Sequence, residues 1–205
     1  MKRMIDIMMA SLGIAIFCPV MLFIAALIAA SSRGPIIYRG KRSGLNYEDF
    51  YILKFRTMVD NAEKLGGFST ARNDPRLTAV GKYLRRYKLD ELPQLFNVLV
   101  GDMSLVGPRP QVRYYTDKYS EKEKKILSVR PGITDLASLY YSDMDSTLGD
   151  GAVDQRYECE VEPHKNELRL RYVEEMSLFL DFRILVETIC SLFGFKNVTG
   201  LNLAQ

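Results

Sequence analysis

An uncharged segment near the N-terminus constrains this chain more than any other feature of its sequence. No charged residue occurs from Ile7 to Ser32, which exceeds the roughly 20 apolar residues that a helix needs to span a bilayer. Basic residues flank the segment, with Lys2 and Arg3 before it and Arg33 directly after it. A secretory signal peptide has a shorter apolar region and precedes an exported domain. The segment therefore predicts a permanent membrane helix.

The basic flanks also bear on whether this helix crosses the membrane. Lys and Arg mark the cytoplasmic side, and a crossing helix would place one of the two flanks on the opposite side. Cys18-Pro19 lies at the middle of the segment, where proline removes a helix hydrogen bond and bends the chain. We therefore favour a re-entrant helix that breaks at Cys18 and Pro19 and returns to the cytoplasmic face. A kinked transmembrane helix is the alternative, because such helices tolerate proline.

Length and composition narrow the possibilities for the rest of the chain. The 205 residues allow one domain after the membrane helix, so we predict residues 1–33 as the re-entrant helix and 34–205 as a cytosolic domain. A formal net charge of +3 does not suggest binding to nucleic acid. The three cysteines are far apart, which argues against a disulfide framework or a zinc site. His164 is the only histidine and lies outside the motifs below, so the chemistry must use carboxylates, lysine and arginine.

Residue patterns predict an α+β fold that is mostly helical. A strand-like run, Ile36–Arg39, and an alternating run, Phe50–Met58, predict a β-hairpin with its loop at Gly40–Asn46. Ser142–Val153 is acidic and contains glycine, which predicts a mobile loop. The last predicted helix is strongly apolar, and either lies at the membrane interface or packs on the core. The predicted helices of the domain are Leu77–Lys88, Glu91–Val100, Gln111–Leu127 and Glu167–Phe195.

Two adjacent acidic residues, Asp90 and Glu91, are the first candidates for chemistry. Pro93 is favoured only in the first turn of a helix, so the pair lies at a helix N-terminus. Free N–H groups and the helix dipole favour negative charge there. A carboxylate in that place stays ionised, as a nucleophile or a metal ligand must. On their own, however, these two residues are better explained as a simple acidic cap.

Positively charged residues from separate segments favour a chemical role for the acidic pair over a simple helix cap. Arg109 stands between Pro108 and Pro110, which fix its backbone, and Arg130 also precedes a proline. Guanidinium groups bind phosphate oxygens bidentately, and lysine acts as a point charge. With an acidic pair and no suitable histidine, these cations suggest diphosphate chemistry aided by Mg²⁺, which prefers carboxylate and phosphate oxygens. The candidate phosphate-binding residues are Lys54, Arg56, Arg85, Arg109 and Arg130.

Five short motifs follow one another along the chain. They are Lys54-Phe55-Arg56-Thr57-Met58, Leu89-Asp90-Glu91-Leu92-Pro93-Gln94-Leu95, Gly101-Asp102-Met103-Ser104, Gly107-Pro108-Arg109-Pro110 and Val129-Arg130-Pro131-Gly132-Ile133-Thr134. Their sequences and their order resemble the monotopic phosphoglycosyl transferases, also called bacterial sugar transferases. The resemblance covers nearly the whole chain and is closest to the small, minimal members of that family. It implies a re-entrant helix in the bacterial inner membrane, with the catalytic domain facing the cytoplasm.

The resemblance also implies a two-step reaction that begins the assembly of a membrane glycoconjugate. Asp90 would attack the β-phosphate of a UDP-sugar and release UMP, and undecaprenyl phosphate would then take the phosphosugar. Glu91 would help to bind Mg²⁺ beside Asp90 or would activate the acceptor. The five cations named above would hold phosphates and neutralise developing charge. Membrane lipids are the remaining expected partners.

Two departures from the family pattern limit what the resemblance implies. Many members break the membrane helix at Ser-Pro, where this chain has Cys18-Pro19; cysteine is also small, so we expect the same bend. After Gly-Ile-Thr the family continues with glycine and often reaches an arginine, whereas this chain has Asp135 and, at the arginine position, Ser142. The sugar therefore cannot be inferred from other members. Two other functions stay open, a sugar-only glycosyltransferase that releases UDP and a non-catalytic membrane-anchored scaffold.

Overall fold

A computed structural model describes residues 1–60, 62, 74–141, 157–195 and 197–201. The loop predicted at Ser142–Val153 lies outside these ranges. The fold is α+β and mostly helical, as the sequence predicts. The strands are β1 (Ile37–Ser43), β2 (Asp49–Phe55), β3 (Ser104–Val106) and β4 (Gly132–Thr134). The helices are α1 (Lys2–Ser31), α2 (Ala79–Arg86), α3 (Gln94–Val100), α4 (Arg113–Thr116), α5 (Leu136–Tyr140), α6 (Glu162–Glu175) and α7 (Leu178–Leu192).

Helix α1 is, within the described ranges, the only helix long and apolar enough to cross a membrane. It forms one continuous helix across Cys18 and Pro19, where the sequence predicts a break, and it packs mainly against α3. One side faces the domain, where Ala10 joins the main core and Ile24 and Ile28 join a second cluster with Phe55 and Leu84. Other apolar side chains of α1 are exposed, among them Leu12, Ile16, Val20, Leu22 and Phe23.

The predicted hairpin is confirmed, but its first strand is longer than expected and its second strand ends at Phe55, before the predicted Met58. β1 and β2 pair antiparallel from Ile37 opposite Phe55 to Ser43 opposite Asp49, so most of the predicted loop belongs to β1. The chain reverses in a short 3₁₀ turn in which Asn46 has a φ of 53°, a left-handed conformation that asparagine tolerates well. These pairings orient β2, the strand that carries Lys54.

A buried asparagine joins this hairpin to α3. The side-chain oxygen of Asn97 accepts a hydrogen bond from the backbone of Leu53 at 2.9 Å, and its nitrogen donates to the carbonyl of Tyr51 at 2.8 Å. An amide can satisfy both a donor and an acceptor of a neighbouring strand edge. This contact fixes β2 against the segment that follows the acidic pair.

A short parallel pair, β3 and β4, places the Pro108–Pro110 turn. Ser104 lies opposite Gly132, and a Cβ atom on Gly132 would lie 2.1 Å from the backbone nitrogen of Gly107. Only glycine permits so close an approach of the two backbones. The two motifs that contain these glycines therefore pack directly on each other.

The predicted surface helix Gln111–Leu127 is wrong. Only α4 and a 3₁₀ turn at Glu123–Ser128 are helical there. Glu123 accepts hydrogen bonds from both the backbone nitrogen and the hydroxyl of Ser120, and local bonds of this kind compete with a continuous helix. Tyr115 and Tyr119 are buried, so this segment is part of the domain core.

The C-terminal helical region differs from its prediction in two ways. It begins at Glu162, before the predicted start, and it breaks between α6 and α7. The hydroxyl of Ser177 accepts a hydrogen bond from the backbone nitrogen of Leu180 and caps α7. This break lets Tyr172 on α6 donate to the buried carboxylate of Asp181 on α7 at 2.6 Å.

Candidate active site

The acidic pair occupies a 3₁₀ turn, Leu89–Glu91, that precedes α3. The predicted helix start at Glu91 is therefore early, because α3 begins at Gln94, directly after Pro93. Lys88 enters the turn with a φ of 53°, a left-handed conformation that is uncommon for lysine. The two carboxylates thus belong to a tight turn rather than to a regular helix cap.

Glu91 is held by cations from two other segments. Its carboxylate accepts a hydrogen bond from Lys54 Nζ at 2.7 Å, and the Arg109 guanidinium binds it through both terminal nitrogens, Nη1 at 3.1 Å. Burial by itself would raise the pKa of Glu91, but Arg109 and Lys54 outweigh it and hold that pKa well below its usual value. Glu91 is therefore a fixed, ionised partner of the two cations.

Asp90 lies next to Glu91 in a different environment. Its residue is only 6% exposed, and no described residue donates a hydrogen bond to its carboxylate. Burial raises the pKa of Asp90, with the positive charge of Lys54 opposing that shift and the negative charge of Glu91 adding to it. A carboxylate with unused lone pairs beside several cations is suited to attack phosphorus or to bind a metal ion.

Arg85 approaches the pair from α2. Its Nε donates to the Thr57 hydroxyl at 3.0 Å, and its charge acts on Asp90. Burial lowers the pKa of Arg85 and likewise that of Lys54. The structure thus gathers four predicted site residues around Asp90: Lys54, Arg85, Glu91 and Arg109.

Two predicted phosphate ligands lie elsewhere. Arg56 is buried, and its Nη2 donates to the carbonyl and the hydroxyl of Ser32, both at 2.8 Å, directly after α1. Arg130 donates from Nε to the carbonyl of Gly101 at 2.9 Å, at the opposite end of α3 from Asp90. Backbone carbonyls thus engage Nη2 of Arg56 and Nε of Arg130, while Nε and Nη1 of Arg56 are buried without a hydrogen-bond partner among the described residues. Phosphate binding by these two arginines stays a prediction.

The acidic pair is the site that the sequence predicts for a divalent cation. The described parts of the chain contain no group of three or more acidic, histidine or cysteine side chains that could hold a metal ion. Mg²⁺, however, is commonly held by one or two carboxylates together with substrate phosphates. The carboxylate of Asp90 accepts no hydrogen bond from the described residues, whereas Lys54 and Arg109 occupy both oxygens of Glu91.

Sequence reasoning missed two residues at this site. Lys88 interacts electrostatically with Arg109, Glu91 and Asp90. It directly precedes the motif that begins at Leu89. Asp135 is fully buried and accepts a hydrogen bond from the backbone nitrogen of Arg109 at 2.9 Å. A signal for it existed, because a turn of alternating prolines has a single backbone donor that needs an acceptor.

The family model for bacterial sugar transferases matches residues 1–194. The chain belongs to this family. An *Aeromonas hydrophila* protein, named UDP-N-acetylgalactosamine-undecaprenyl-phosphate N-acetylgalactosaminephosphotransferase, is 39% identical over 194 residues, which cover 92% of this chain and 42% of that protein. Two proteins named UDP-glucose:undecaprenyl-phosphate glucose-1-phosphate transferase are also similar. The *Caulobacter vibrioides* protein is 37% identical over 96% of this chain and 71% of its own length. The *Escherichia coli* protein is 36% identical over 96% of this chain and 40% of its own length.

These sugar transferases differ from this chain in extent and from one another in substrate. The chain spans less than half the length of the *Aeromonas* and *Escherichia* proteins. Their names specify N-acetylgalactosamine in one case and glucose in the other. Membership of the family therefore does not fix the sugar.

Proposed function

We propose that this chain is a phosphoglycosyl transferase that moves a sugar-1-phosphate from a UDP-sugar to undecaprenyl phosphate and releases UMP. The observation that carries the proposal is the unequal pair of carboxylates. Glu91 is fixed by Lys54 and Arg109, whereas the neighbouring Asp90 carboxylate accepts no hydrogen bond from the described residues. The names of the related proteins support the substrate classes.

In the first step the Asp90 carboxylate attacks the β-phosphorus of the UDP-sugar. A bond forms between an Asp90 oxygen and phosphorus, and the bond from that phosphorus to the bridging oxygen breaks. UMP leaves with the bridging oxygen and the electron pair, and a phosphosugar stays on Asp90. Arg109 and Lys54 lie beside this centre and offset the negative charge that develops on the phosphoryl oxygens.

In the second step a phosphate oxygen of undecaprenyl phosphate attacks the same phosphorus. The bond to Asp90 breaks, the carboxylate is restored, and undecaprenyl-diphosphosugar is formed. Glu91 keeps both cations in place, since it binds Lys54 and Arg109 at once. The same position next to Asp90 would let Glu91 share a metal ion with it.

We propose Mg²⁺ as the cofactor of this site. It would be held by Asp90 and Glu91 together with the diphosphate of the substrate. When bound, it would supply positive charge to the phosphoryl oxygens during transfer. The free carboxylate of Asp90 supports this assignment.

Identifying the by-product tests the proposal directly. The purified protein, with Mg²⁺ and undecaprenyl phosphate, would be supplied with UDP-N-acetylgalactosamine, UDP-glucose and other UDP-sugars in turn. We expect UMP with one of them. Release of UDP would instead show a sugar-only glycosyltransferase, and no turnover with any UDP-sugar would favour a non-catalytic scaffold.

We also propose that α1 re-enters the membrane and that both of its ends face the cytoplasm. A straight helix of 30 residues is about 45 Å long, more than the thickness of the hydrocarbon layer. Yet Lys2 contacts Asp181 at 2.6 Å near one end, and Ser32 contacts Arg56 at 2.8 Å just beyond the other. A helix that crossed the bilayer could not bring both ends to one domain, so these contacts support re-entry.

Cysteine labelling tests this arrangement. In a variant without native cysteines, single cysteines at positions 2 and 42 should both react only with reagents that reach the cytoplasm. Labelling of position 2 from the periplasm would refute re-entry. Replacing Pro19 with alanine restores the missing N–H and should reduce the bend, while the basic flanks resist a full crossing.

The C-terminal helix α7 supports a second membrane contact. Leu180 and Ile184 are buried against the core, whereas Leu178, Phe182 and Ile189 lie on the opposite stripe and are exposed. Exposed apolar stripes of this kind mark interfacial helices. We therefore place α7 at the cytoplasmic membrane interface, in contact with lipid.

A further inference from the structure

The backbone of Arg109 has an unusual hydrogen-bonding situation. Proline has no backbone N–H, so in the Pro108–Arg109–Pro110 turn only Arg109 can donate. That donor is bound by the carboxylate of Asp135 at 2.9 Å. The position of the turn thus depends on one side chain from the segment after β4.

Asp135 is itself fixed on several sides. Its other oxygen accepts a hydrogen bond from the backbone nitrogen of Ser138 at 2.6 Å and caps α5. The residue is fully buried, and its charge faces the Arg169 guanidinium of α6 at 3.9 Å. Asp135 therefore joins the turn, α5 and α6.

Arg169 on α6 contacts Gln111, the residue directly after the same turn. It is 1% exposed and donates to Glu162 at 2.8 Å and to Asn166 at 2.7 Å. With its amide oriented to satisfy its neighbours, Gln111 accepts from Arg169 Nη2 at 2.5 Å. Because Gln111 directly follows Pro110, Arg169 contacts the end of the turn, and it also faces the Asp135 carboxylate that binds the Arg109 backbone.

We propose that Asp135 and Arg169 are positioning residues that set the placement of the Arg109 guanidinium against Glu91 and the substrate phosphates. The inference rests on the phosphoryl-transfer function proposed above. Neither residue touches the reacting atoms, so both act through the Pro108–Pro110 turn. A displacement of about 1 Å at such a group can cost on the order of 10²-fold in rate.

Asp135→Asn is the decisive variant, because it keeps the shape of the side chain but leaves one oxygen for two backbone donors. We expect kcat to fall on the order of 10²-fold. Arg109→Lys should lower kcat in the parent protein but add little in the Asp135→Asn background. Non-additivity of this kind shows that one residue acts through the other, whereas a merely structural role leaves the two effects independent. Independent effects, or wild-type kcat in Asp135→Asn, would overturn the proposal.

A matched control is available in Glu187, another buried carboxylate that accepts backbone hydrogen bonds, from Val198 and Thr199. Glu187→Gln should retain wild-type kcat, and a loss equal to that of Asp135→Asn would overturn the specific role of Asp135. If Asp135→Asn does not fold, Arg169→Lys is the substitute variant. It keeps the positive charge but lacks the planar guanidinium group. Its effect on kcat should be non-additive with that of Arg109→Lys in the same way.

Calorimetric binding of the UDP-sugar separates this inference from the proposed function. If the wild type releases no UMP, the proposed function fails, but UDP-sugar binding can still be measured. Asp135→Asn should then weaken that binding as Arg109→Lys does. Unchanged binding in Asp135→Asn, with weakened binding in Arg109→Lys, would overturn the positioning role.

Discussion

Two polar clusters lie on either side of the Pro108–Pro110 turn, and they differ in how their carboxylates are used. The front cluster contains Lys54, Asp90, Glu91 and Arg109; the rear cluster contains Asp135, Glu162, Asn166, Lys165 and Arg169. In the rear cluster each carboxylate is bonded: Asp135 to two backbone nitrogens and Glu162 to Arg169. In the front cluster Asp90 accepts no hydrogen bond from the described residues. A carboxylate to which the protein itself donates no hydrogen bond keeps its oxygens available for a ligand or for chemistry.

Within the front cluster, the pKa values of the adjacent residues Asp90 and Glu91 shift in opposite directions. Cations hold the pKa of Glu91 low, whereas burial raises the pKa of Asp90. Carboxylates whose environments push their pKa values apart usually have different roles. The structure therefore supports Asp90 as the reacting group and Glu91 as the group that organises the cations.

The largest expected effect follows from Asp90→Asn. We expect UMP release to fall to background, because the amide is a poor nucleophile. The melting temperature should stay the same or rise, since the variant no longer buries a charge that burial disfavours. Asp135→Asn should instead lower the melting temperature, because it disturbs a carboxylate that accepts two backbone hydrogen bonds. A wild-type rate of UMP release in Asp90→Asn would refute the assignment of Asp90 as the nucleophile.

Arg109→Ala should have the next largest effect. Loss of a charge-assisted contact to phosphate costs about 1.5–3 kcal/mol, or roughly one to two orders of magnitude in kcat/KM. The melting temperature should change little, because Glu91 keeps Lys54 as a partner.

Arg130→Ala is the matched control for Arg109, since Arg130 also precedes a proline but bonds Gly101 away from the pair. We expect kcat/KM close to that of the wild type. Parallel losses of activity and melting temperature in Arg109→Ala would show that Arg109 is mainly structural.

The front cluster could be predicted from sequence because its residues lie in short motifs with local meaning. Pro93 placed the acidic pair near a helix start, and the flanking prolines singled out Arg109. These signals depend on neighbouring residues, so they predict local structure even when the tertiary contacts are unknown.

The rear cluster and two of the arginines could not be predicted in this way. Arg56 and Arg130 share the charge of Arg109, and only the fold shows that they bind Ser32 and Gly101. The partners of Arg169 likewise come from separate segments. Charge identifies candidates for phosphate binding, but long-range packing decides which of them meet.

Lys165 allows a test of stability in the rear cluster. Burial lowers its pKa to about 7, with the Arg169 charge adding to that effect. Below that pH the folded protein must bury a charged ammonium, so stability should rise by about 1.4 kcal/mol per pH unit from near 7 towards the unfolded value of 10.5. Lys165→Met removes this dependence, so its melting temperature should exceed the wild-type value most at low pH. An unchanged pH slope would contradict this assignment.

The smallest expected effect is a displacement of the acid limb of the pH–rate profile, and its direction distinguishes the neighbours of Asp90. Asp90 must be ionised to attack, and its pKa is raised, so kcat/KM should begin to fall at a higher pH than an ordinary aspartate would give. Lys54→Met removes a positive neighbour, raises the pKa of Asp90 further and should move the limb to higher pH. Glu91→Gln removes a negative neighbour and should move the limb to lower pH. The measurement is the residual rate of UMP release across the acidic range in each variant, normalised to its own plateau, so that loss of activity does not obscure the position of the limb. Displacements in the same direction would mean that the limb reports a group other than Asp90.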